Sequence, residues 1–523
     1  MLFFALVLIM SACQMGDSPE KEMLPSQEHT DNSFKDKNVV MIILDSMMGS
    51  TVDKSIKEGQ VPAFTFLINH GQYYKDIVSP FPSMSVNIES TMITGEMSDK
   101  HRVPGLSWYD QDKDRIVNYG TTWKTWLKNG VSKGIYDVFY HLNNTHLNPN
   151  VSTIFEDLEK RGFTTGAINT LVYRGDHVHH LTLPVLADEL TDLPQSIQTK
   201  GPNVLGFGRF AKPETLEQEN FTDGIFHRLG LQDKYTMEVT QKLIEQGDQP
   251  NFLMIFFPEN DQEVHKNSPH YRRGMERAED HVQGILNAYD NWEEALEENI
   301  FIILGDHGQD HMVEDEEEVA IDLDHLYEDF EISPLGEPVS KGDIAFGVNQ
   351  RMSYVYDVHD QKILPLLAQR AKKDARIKLS AWREDEWIKV ISPDQEGTLR
   401  FKPGGEWTDR YDQAWTFEGN IDILTLKTDP DKRRIMYVDY PDVLNQLYTA
   451  LDSHDVPKLI LAAKPGHSFL AESISIHPNG GEHGGLHKND VLAAMIIAGT
   501  DQEPEYHRMV DLKNYIERLV TKS

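Results

Sequence analysis

The sequence predicts an α/β fold in which a central, mostly parallel sheet is flanked by helices. Three largely apolar runs, at 39–44, 251–257 and 300–304, have the length and composition of strands that are buried on both faces. Helix-like segments alternate with these strands between residues 38 and 310, which is the pattern of layered α/β proteins. Asp, or Asp with His, follows each run, so the three strands also indicate where a functional site lies.

Shorter segments supply the remaining elements of this layered region. The sequence predicts helices at 62–70, 85–94, 151–161, 235–245 and 273–297, and further strands at 71–77 and 164–169. Gly95 closes the second of these helices as a C-cap. Ser85 opens it, and a serine there either caps the helix or acts as a nucleophile at the positive end of the helix dipole.

The pattern changes after residue 311. Short strands are predicted at 352–358, 386–391, 398–402 and 422–426, separated by turns that contain Pro and Gly. An α/β pattern returns with a helix at 440–451, strands at 458–463 and 491–498, and a helix at 512–520. The sequence therefore predicts a main domain of residues 37–319 and 431–523, with an inserted, β-rich, cap-like subdomain at 320–430.

Length and charge bound the class of protein. The 523 residues are enough for one large core or for two to three domains, and the formal net charge is −34. Binding to a nucleic-acid duplex through its phosphates needs Lys and Arg. The strong acidic excess argues against that activity and favours a solvated acidic surface.

The first residues have the features of an export signal. An apolar run ends in Met10-Ser11-Ala12-Cys13, which resembles a bacterial lipobox, and Cys13 is the only cysteine. We expect a signal peptide at 1–13, lipidation of Cys13, and a flexible tether at 14–36 that holds the protein at the extracellular face of a bacterial membrane. The alternative is a soluble secretory signal with an incidental cysteine. A single cysteine excludes an intramolecular disulfide.

Carboxylate and imidazole side chains recur where the predicted strands end. Asp45 follows the first strand, Asp261 and His265 follow the second, and Asp306 and His307 follow the third. The carboxyl ends of parallel strands form the ligand-binding edge of such sheets, and divalent metals take Asp oxygen and His nitrogen. His483 lies in a glycine-rich loop before the last strand and joins this set if the loop folds over the sheet. The sequence therefore predicts a two-metal site.

These residues resemble the alkaline phosphatase superfamily, and most closely its type I phosphodiesterase/nucleotide pyrophosphatase branch. The nucleophile stretch of that branch is similar to Phe81-Pro82-Ser83-Met84-Ser85-Val86-Asn87, which continues here to Thr94-Gly95 and His101. The resemblance covers about 38–310 and 455–500 and does not extend to 320–430. It implies an alkaline-phosphatase-like sandwich fold, in which the main domain is the catalytic domain.

The resemblance also implies a chemistry. Asp261, His265 and His483 would hold one zinc ion. Asp45, Asp306 and His307 would hold the other, together with the Ser85 oxygen. Metal coordination would activate Ser85 as the nucleophile toward a phosphate-ester substrate, and a phosphoserine intermediate would follow.

Several positions stay open in this comparison. Ser83 is a rival nucleophile, and Leu106 stands where nucleotide pyrophosphatases carry a phosphate-binding Asn, a donor that Asn87 could replace. Trp108 is either a stacking surface for substrate or part of the core. Arg174 binds a phosphate or supports a structural loop, and His467 faces the site or caps a loop.

Taken together, the sequence predicts a secreted, membrane-tethered, two-metal phosphoric-ester hydrolase of the phosphodiesterase type. A phosphomonoesterase or a phosphoryl-group transferase of the same superfamily is the alternative among enzymes. A surface protein that binds its ligand without turnover is the alternative outside them.

Overall fold

The computed structural model describes residues 37–120, 128, 130–182 and 194–522. The predicted signal peptide, Cys13 and the tether lie outside the described residues. Among the residues that are described, no helix combines the length and apolar composition that a membrane span requires.

Strands form two large sheets and several short pairs. In chain order they are β1 (Asn38–Leu44), β2 (Gly71–Val78), β3 (Ser107–Asp110), β4 (Arg115–Asn118), β5 (Thr165–Ile168), β6 (His177–Thr182), β7 (Ser196–Gly201), β8 (Val204–Gly206), β9 (Phe252–Phe257), β10 (Asn299–Leu304), β11 (Asp310–His311), β12 (Ala320–Asp322), β13 (Ile344–Asn349), β14 (Met352–Asp357), β15 (Ile377–Glu384), β16 (Trp387–Ile391), β17 (Leu399–Thr408), β18 (Ala414–Gly419), β19 (Lys427–Asp429), β20 (Arg434–Met436), β21 (Lys458–Ala463), β22 (Ser468–Leu470), β23 (Gly481–Glu482) and β24 (Leu492–Ala498).

The first large sheet has the strand order β2-β24-β10-β1-β9-β5-β8. β1 lies at its centre and pairs in parallel with β9 and β10, and β5 pairs in parallel with β8 and β9. β24 runs antiparallel to β10 and β2. The predicted central, mostly parallel sheet is confirmed, and the carboxyl ends of β1, β5, β9 and β10 share one edge.

The helices, in chain order, are α1 (Gly49–Lys57), α2 (Pro62–Asn69), α3 (Ser85–Thr94), α4 (Ser98–His101), α5 (Val131–Tyr136), α6 (Ile154–Lys160), α7 (Asp233–Glu245), α8 (Glu259–Asn267), α9 (Arg273–Leu286), α10 (Trp292–Glu298), α11 (Glu316–Val319), α12 (Leu323–Leu326), α13 (Leu364–Ala371), α14 (Val443–Leu451), α15 (Lys488–Val491) and α16 (Leu512–Lys522). The single helix predicted at 273–297 is wrong: it is divided into α9 and α10, because the Asn291 side chain accepts a hydrogen bond from the Glu294 N–H and starts a new helix.

Helices cover both faces of the central sheet, because alternate residues of a strand point to opposite sides. On β1, Val39 and Met41 pack into the core of one face with side chains from α3 and α16. Val40 and Ile42 pack into the core of the other face with side chains from α2, α7 and α9. This two-sided burial holds the loops at the carboxyl edge on a rigid base.

The second large sheet has the order β13-β14-β21-β15-β16-β17-β20-β19, with β18 paired to β17. The strand predicted at 422–426 is instead a 3₁₀ turn, Ile421–Leu424, followed by β19. β21 lies between β14 and β15, so this sheet draws on residues beyond the predicted insertion. The proposed domain boundaries themselves stay a prediction.

A buried ion network joins the second sheet to the loops of the first. The guanidinium of Arg351, between β13 and β14, lies 2.6 Å from the Asp490 carboxylate and 3.0 Å from that of Asp310. Asp310 follows the loop after β10, and Asp490 lies on α15, just before β24. Arg351 is fully buried, and loss of one partner from such a network leaves an uncompensated charge. The β13–β14 turn is therefore anchored beside the carboxyl edge of the central sheet.

Candidate metal centre

Five of the predicted metal ligands follow strands of the central sheet. Asp45 comes directly after β1, and Asp306 and His307 come directly after β10 and Gly305. Asp261 and His265 lie one turn apart on α8, which follows β9. The shared edge of these strands brings all five side chains together.

His483 reaches the same edge because β24 is antiparallel. A loop before a parallel strand would lie at the opposite edge of the sheet, but the N-terminal end of β24 lies beside the carboxyl end of β10. The rings of His483 and His307 stack with their centroids 3.7 Å apart and an interplanar angle of 11°. The predicted ligand set is therefore brought together completely.

One group of possible donors consists of Asp45, Asp306 and His307, whose donor atoms all lie within 4.8 Å of one another. The Nε2 atom of His307 is 3.4 Å from Asp45 Oδ1 and 3.5 Å from Asp306 Oδ2. These residues are buried, yet His307 Nε2 and Asp45 Oδ1 have no hydrogen-bond partner among the residues that the structure describes. Unpaired buried polar atoms that converge in this way fit a bound cation.

The second group consists of Asp261, His307 and His483, whose donor atoms also lie within 4.8 Å of one another. His483 Nε2 lies 3.8 Å from Asp261 Oδ1, and His265 Nε2 lies 3.2 Å from Asp261 Oδ2. His307 thus borders both groups, while His265 joins the second through Asp261. The two groups adjoin at His307.

All three imidazoles have the same tautomer, imposed by backbone carbonyl groups. The Nδ1 atom of His265 lies 2.6 Å from Gly481 O, and that of His307 lies 3.0 Å from Gly308 O. The Nδ1 atom of His483 lies 2.5 Å from the carbonyl oxygen of Ser83. A carbonyl only accepts, so each Nδ1 carries a proton, and in the neutral ring Nε2 is the nitrogen with the lone pair. Such outer hydrogen bonds are typical of metal-binding histidines.

Burial keeps two of these rings neutral. It lowers the pKa of His307 to about 4 and, together with the neighbouring His307, the pKa of His483 to about 3. A neutral imidazole is the form that binds a metal. The site therefore presents ligating nitrogens at neutral pH.

The carboxylates repel one another in this buried space. Burial and the neighbouring Asp306 raise the pKa of Asp45 well above its usual range, and burial raises the pKa of Asp306 to about 6. Burial also opposes ionisation of Asp261, but the imidazoles of His265 and His483 more than offset it and lower the pKa of this carboxyl. Among the described residues, the ion-pair partners of these three carboxylates are histidines only.

Two side chains that sequence reasoning missed orient the carboxylates. Ser46 Oγ donates to Asp261 Oδ1 at 2.9 Å, and the Ser46 N–H donates to Asp306 Oδ1 at 3.0 Å. Gln309 Nε2 donates to both Asp261 Oδ1 and Ser46 Oγ. Ser46 and Gln309 stand within three residues of a ligand in the sequence, but their residue types alone carry no metal signal.

Of the two candidate nucleophiles, Ser85 is the one whose hydroxyl contacts a candidate metal ligand. It is the first residue of α3, and its Oγ donates to Asp306 Oδ2 at 3.1 Å. Ser83 is fully buried, and its Oγ accepts a hydrogen bond from the Gly484 N–H at 2.9 Å. The structure thus uses Ser83 to hold the loop of His483 and directs Ser85 at the ligand cluster.

A buried carboxyl that the sequence did not single out fixes α3 in place. Glu89 lies one turn after Ser85, and its Oε2 accepts hydrogen bonds from the N–H groups of Leu171 and Val172. Burial raises the pKa of Glu89 to about 8. The carboxyl therefore ties α3 to the loop after β5.

The side chains predicted to contact substrate make other contacts. Asn87 is fully buried and donates to the Pro82 carbonyl, and Trp108 is buried edge-to-face against His146 and His454. The hydrophobic side chain of Leu106 packs against the core.

Two further predicted contacts lie in structural networks. Arg174 pairs with Glu156 and donates to three backbone carbonyls, those of Leu147, Asn148 and Val151. His467 Nδ1 lies 3.0 Å from the carbonyl oxygen of Glu318. For both residues these bonds favour the structural-loop alternative over a contact with phosphate or with the site.

A cluster of Asp and His at the carboxyl edge of an α/β sheet, with a serine hydroxyl directed onto it, defines a candidate metallohydrolase. The family model for type I phosphodiesterase/nucleotide pyrophosphatase matches residues 39–486. The chain belongs to this family and is a phosphoric-ester hydrolase. Enzymes of this family typically depend on divalent metals. The predicted family and enzyme class are confirmed.

Solved structures show the same fold. Human ectonucleotide pyrophosphatase/phosphodiesterase 5 is similar with a TM-score of 0.53 and 12% sequence identity, covering 93% of this chain and 95% of that one. The murine protein with the same name is similar with a TM-score of 0.51 and 11% identity, and an inactive variant of it in complex with AMP with a TM-score of 0.53 and 10% identity, both over 93% of this chain and 95% of theirs. No curated protein sequence matches the chain significantly.

The histidine of the family-like motif gives a pH-dependent prediction. His101 is fully buried, its Nε2 lies 3.0 Å from Thr91 Oγ1, and its Nδ1 accepts a hydrogen bond from the Val103 N–H. Burial lowers the pKa of His101 to about 3. The unfolded chain, with a histidine pKa near 6.5, binds a proton that the folded chain refuses, so stability is lost as the pH falls from about 6.5 toward 3.

We expect this one group to remove about 2 kcal/mol of unfolding free energy between pH 7 and pH 5. His101→Gln should reduce the loss over that interval by this amount, measured by urea unfolding with EDTA present. His325→Gln, at a side chain that is 79% exposed, is the matched control. Its unfolding free energy should fall between pH 7 and pH 5 by the same amount as that of the wild type. An identical fall in both variants would contradict the buried neutral state of His101.

Proposed function

We propose that the chain hydrolyses phosphodiesters at a two-metal centre, through a phosphoserine formed on Ser85. The observation that carries this proposal is the hydrogen bond of 3.1 Å from Ser85 Oγ to Asp306 Oδ2, at the N-terminal end of α3. Among the described residues, Ser85 is the one of the two candidate serines whose hydroxyl is hydrogen-bonded to a candidate metal ligand. Its hydroxyl also lies at the positive end of a helix dipole, which favours an alkoxide.

The donor set supports two divalent ions, and its mixture of imidazole and carboxylate favours zinc. Asp45, Asp306 and His307 would hold one ion. Asp261, with His483 and His265, would hold the other. When bound, the ions supply Lewis-acid stabilisation to the attacking and leaving oxygens of an in-line displacement.

The chain's own residues position the reacting groups. Asp306 Oδ2 accepts the hydrogen bond of Ser85 and orients Oγ, while Ser46 and Gln309 hold Asp261. Ser85 Oγ attacks the phosphorus; the Oγ–P bond forms as the bond to the leaving alkoxide breaks, and the Ser85 proton passes by way of Asp306 to that alkoxide. The intermediate is a phosphoserine that still carries the second ester group. Water then attacks its phosphorus, one water proton returns to Ser85 Oγ, and a phosphate monoester is released.

The preference for diesters follows the family to which the chain belongs. A murine relative with the same fold has been captured in complex with AMP, a phosphate monoester of the kind that diester cleavage releases from nucleotides. Since Leu106 offers no side-chain donor, we do not assign a nucleotide as the substrate of this chain.

Ser85→Ala tests the nucleophile. We expect the turnover of bis-p-nitrophenyl phosphate by the zinc-loaded protein to fall by at least about 10³-fold, because the covalent route is lost. Zinc content should stay at the wild-type value, and Ser85→Thr should keep part of the activity. Wild-type turnover in Ser85→Ala would overturn the assignment, and a wild type that prefers p-nitrophenyl phosphate would indicate a monoesterase.

We further propose that lipidated Cys13 anchors the enzyme at the outer face of a bacterial membrane. The support is the run Met10-Ser11-Ala12-Cys13 after an apolar segment. We expect the protein expressed in a bacterial host to enter the detergent phase of a Triton X-114 partition, and Cys13→Ala to move to the aqueous phase. Equal partition of both proteins would contradict lipidation, and a wild type found in the medium would support a soluble secreted form.

A further inference from the structure

The turn between β13 and β14 extends from the second sheet to the metal centre. Gln350 occupies this turn, and its side-chain Oε1 accepts a hydrogen bond of 2.9 Å from the His483 N–H. A backbone N–H can only donate, so this bond identifies the oxygen of the amide. The Nε2 end of the same amide lies 3.4 Å from His483 Nε2.

That nitrogen is the metal-binding atom of His483, because its Nδ1 donates to the Ser83 carbonyl. Its lone pair faces the Gln350 amide. An ion held by His483 Nε2 would use this lone pair. The amide N–H would then be free to donate to a ligand that shares the ion.

The turn is held firmly enough to place this donor. The Gln350 carbonyl accepts from the Phe469 N–H, and the Arg351 N–H donates to the His483 carbonyl, at 3.0 and 3.1 Å. The buried pairs of Arg351 with Asp310 and Asp490 add a second anchor. Gln350 also has a φ of +57°, a conformation that glycine or asparagine adopts more readily.

In the described part of the chain, the site lacks cationic side chains paired with its carboxylates, so a neutral hydrogen-bond donor would help to bind an anionic phosphoryl group. Among the described residues, no Lys or Arg forms an ion pair with Asp45, Asp261 or Asp306. A phosphoryl group carries negative charge on its oxygens, so the chain must supply neutral donors where the ions do not reach. Asn87, the donor suggested by the sequence, is fully buried and bonded to the Pro82 carbonyl.

We propose that the side-chain amide of Gln350 donates a hydrogen bond to a phosphoryl oxygen of the substrate. This inference rests on the proposed two-metal function and names a substrate-binding residue for it. It also gives the second sheet a role in the active site.

Two substitutions separate the donor from a purely positioning role. Gln350→Glu keeps an oxygen that can accept from the His483 N–H but replaces the donor with a negative charge. Gln350→Asn shortens the side chain and suits the left-handed backbone, so it guards against a folding failure. Gln369→Glu on α13 is exposed and provides the same charge change as a matched control.

The measurements are the zinc content per chain and the dissociation constant of inorganic phosphate for the zinc-loaded, full-length protein by calorimetry. We expect zinc content to be unchanged in every variant. Phosphate affinity should fall by about 10- to 100-fold in Gln350→Asn, the size expected for a lost hydrogen bond to a charged group. It should fall further in Gln350→Glu and stay at the wild-type value in Gln369→Glu.

Wild-type phosphate affinity in Gln350→Glu would overturn the inference while leaving the two-metal function intact. Loss of zinc in Gln350→Asn and Gln350→Glu would also overturn it, because the residue would then act on the metal site. A wild-type protein that holds no zinc would instead refute the proposed function, and the inference with it.

Discussion

Three carboxylates and three imidazoles share a largely buried space, in which Asp261 and His265 keep some exposure and the carboxylates have no Lys or Arg partner among the described residues. Taking unpaired charges out of water is expensive. Because of that cost, the pKa values of Asp45 and Asp306 are raised, so these carboxyls hold their protons more tightly than exposed ones do. Divalent cations relieve the same repulsion, and the carbonyl-bound Nδ1 atoms keep the Nε2 atoms available to them.

The rest of the fold serves this arrangement. Parallel strands deliver Asp45, Asp306 and the start of α8 to one edge, and antiparallel β24 delivers the loop of His483 to that edge. The second sheet then closes on this loop through Gln350 and Arg351. The candidate metal centre thus lies where the two sheets meet, although its possible ligands lie in loops and a helix at the edge of the first sheet.

The sequence was informative wherever a signal is local. Buried strands are visible as apolar runs, and Asp45 or Asp306 can be placed because each stands directly after such a run. The direction of β24 is set by pairing across nearly two hundred residues, and no local pattern carries it. The placement of β21 in the second sheet was not predicted from the sequence for the same reason: it depends on pairing with strands that are distant along the chain.

Side-chain roles were harder to predict than positions. Arg174 has the right chemistry for a phosphate, but its donors are used by Glu156 and by backbone carbonyls. Gln350 has no distinctive motif, and its contact with His483 spans 133 positions. The family resemblance favoured Ser85 over Ser83 as the nucleophile, and the packing of Ser83 against the Gly484 loop gives an independent physical reason for that choice.

We propose that these residues hold two ions side by side. The most direct measurement is X-ray diffraction from crystals grown with zinc, with anomalous data collected on both sides of the zinc absorption edge. The account predicts two anomalous peaks, one bordered by Asp45, Asp306 and His307 and the other by Asp261, His265 and His483. A single peak, or none within this cluster, would contradict it.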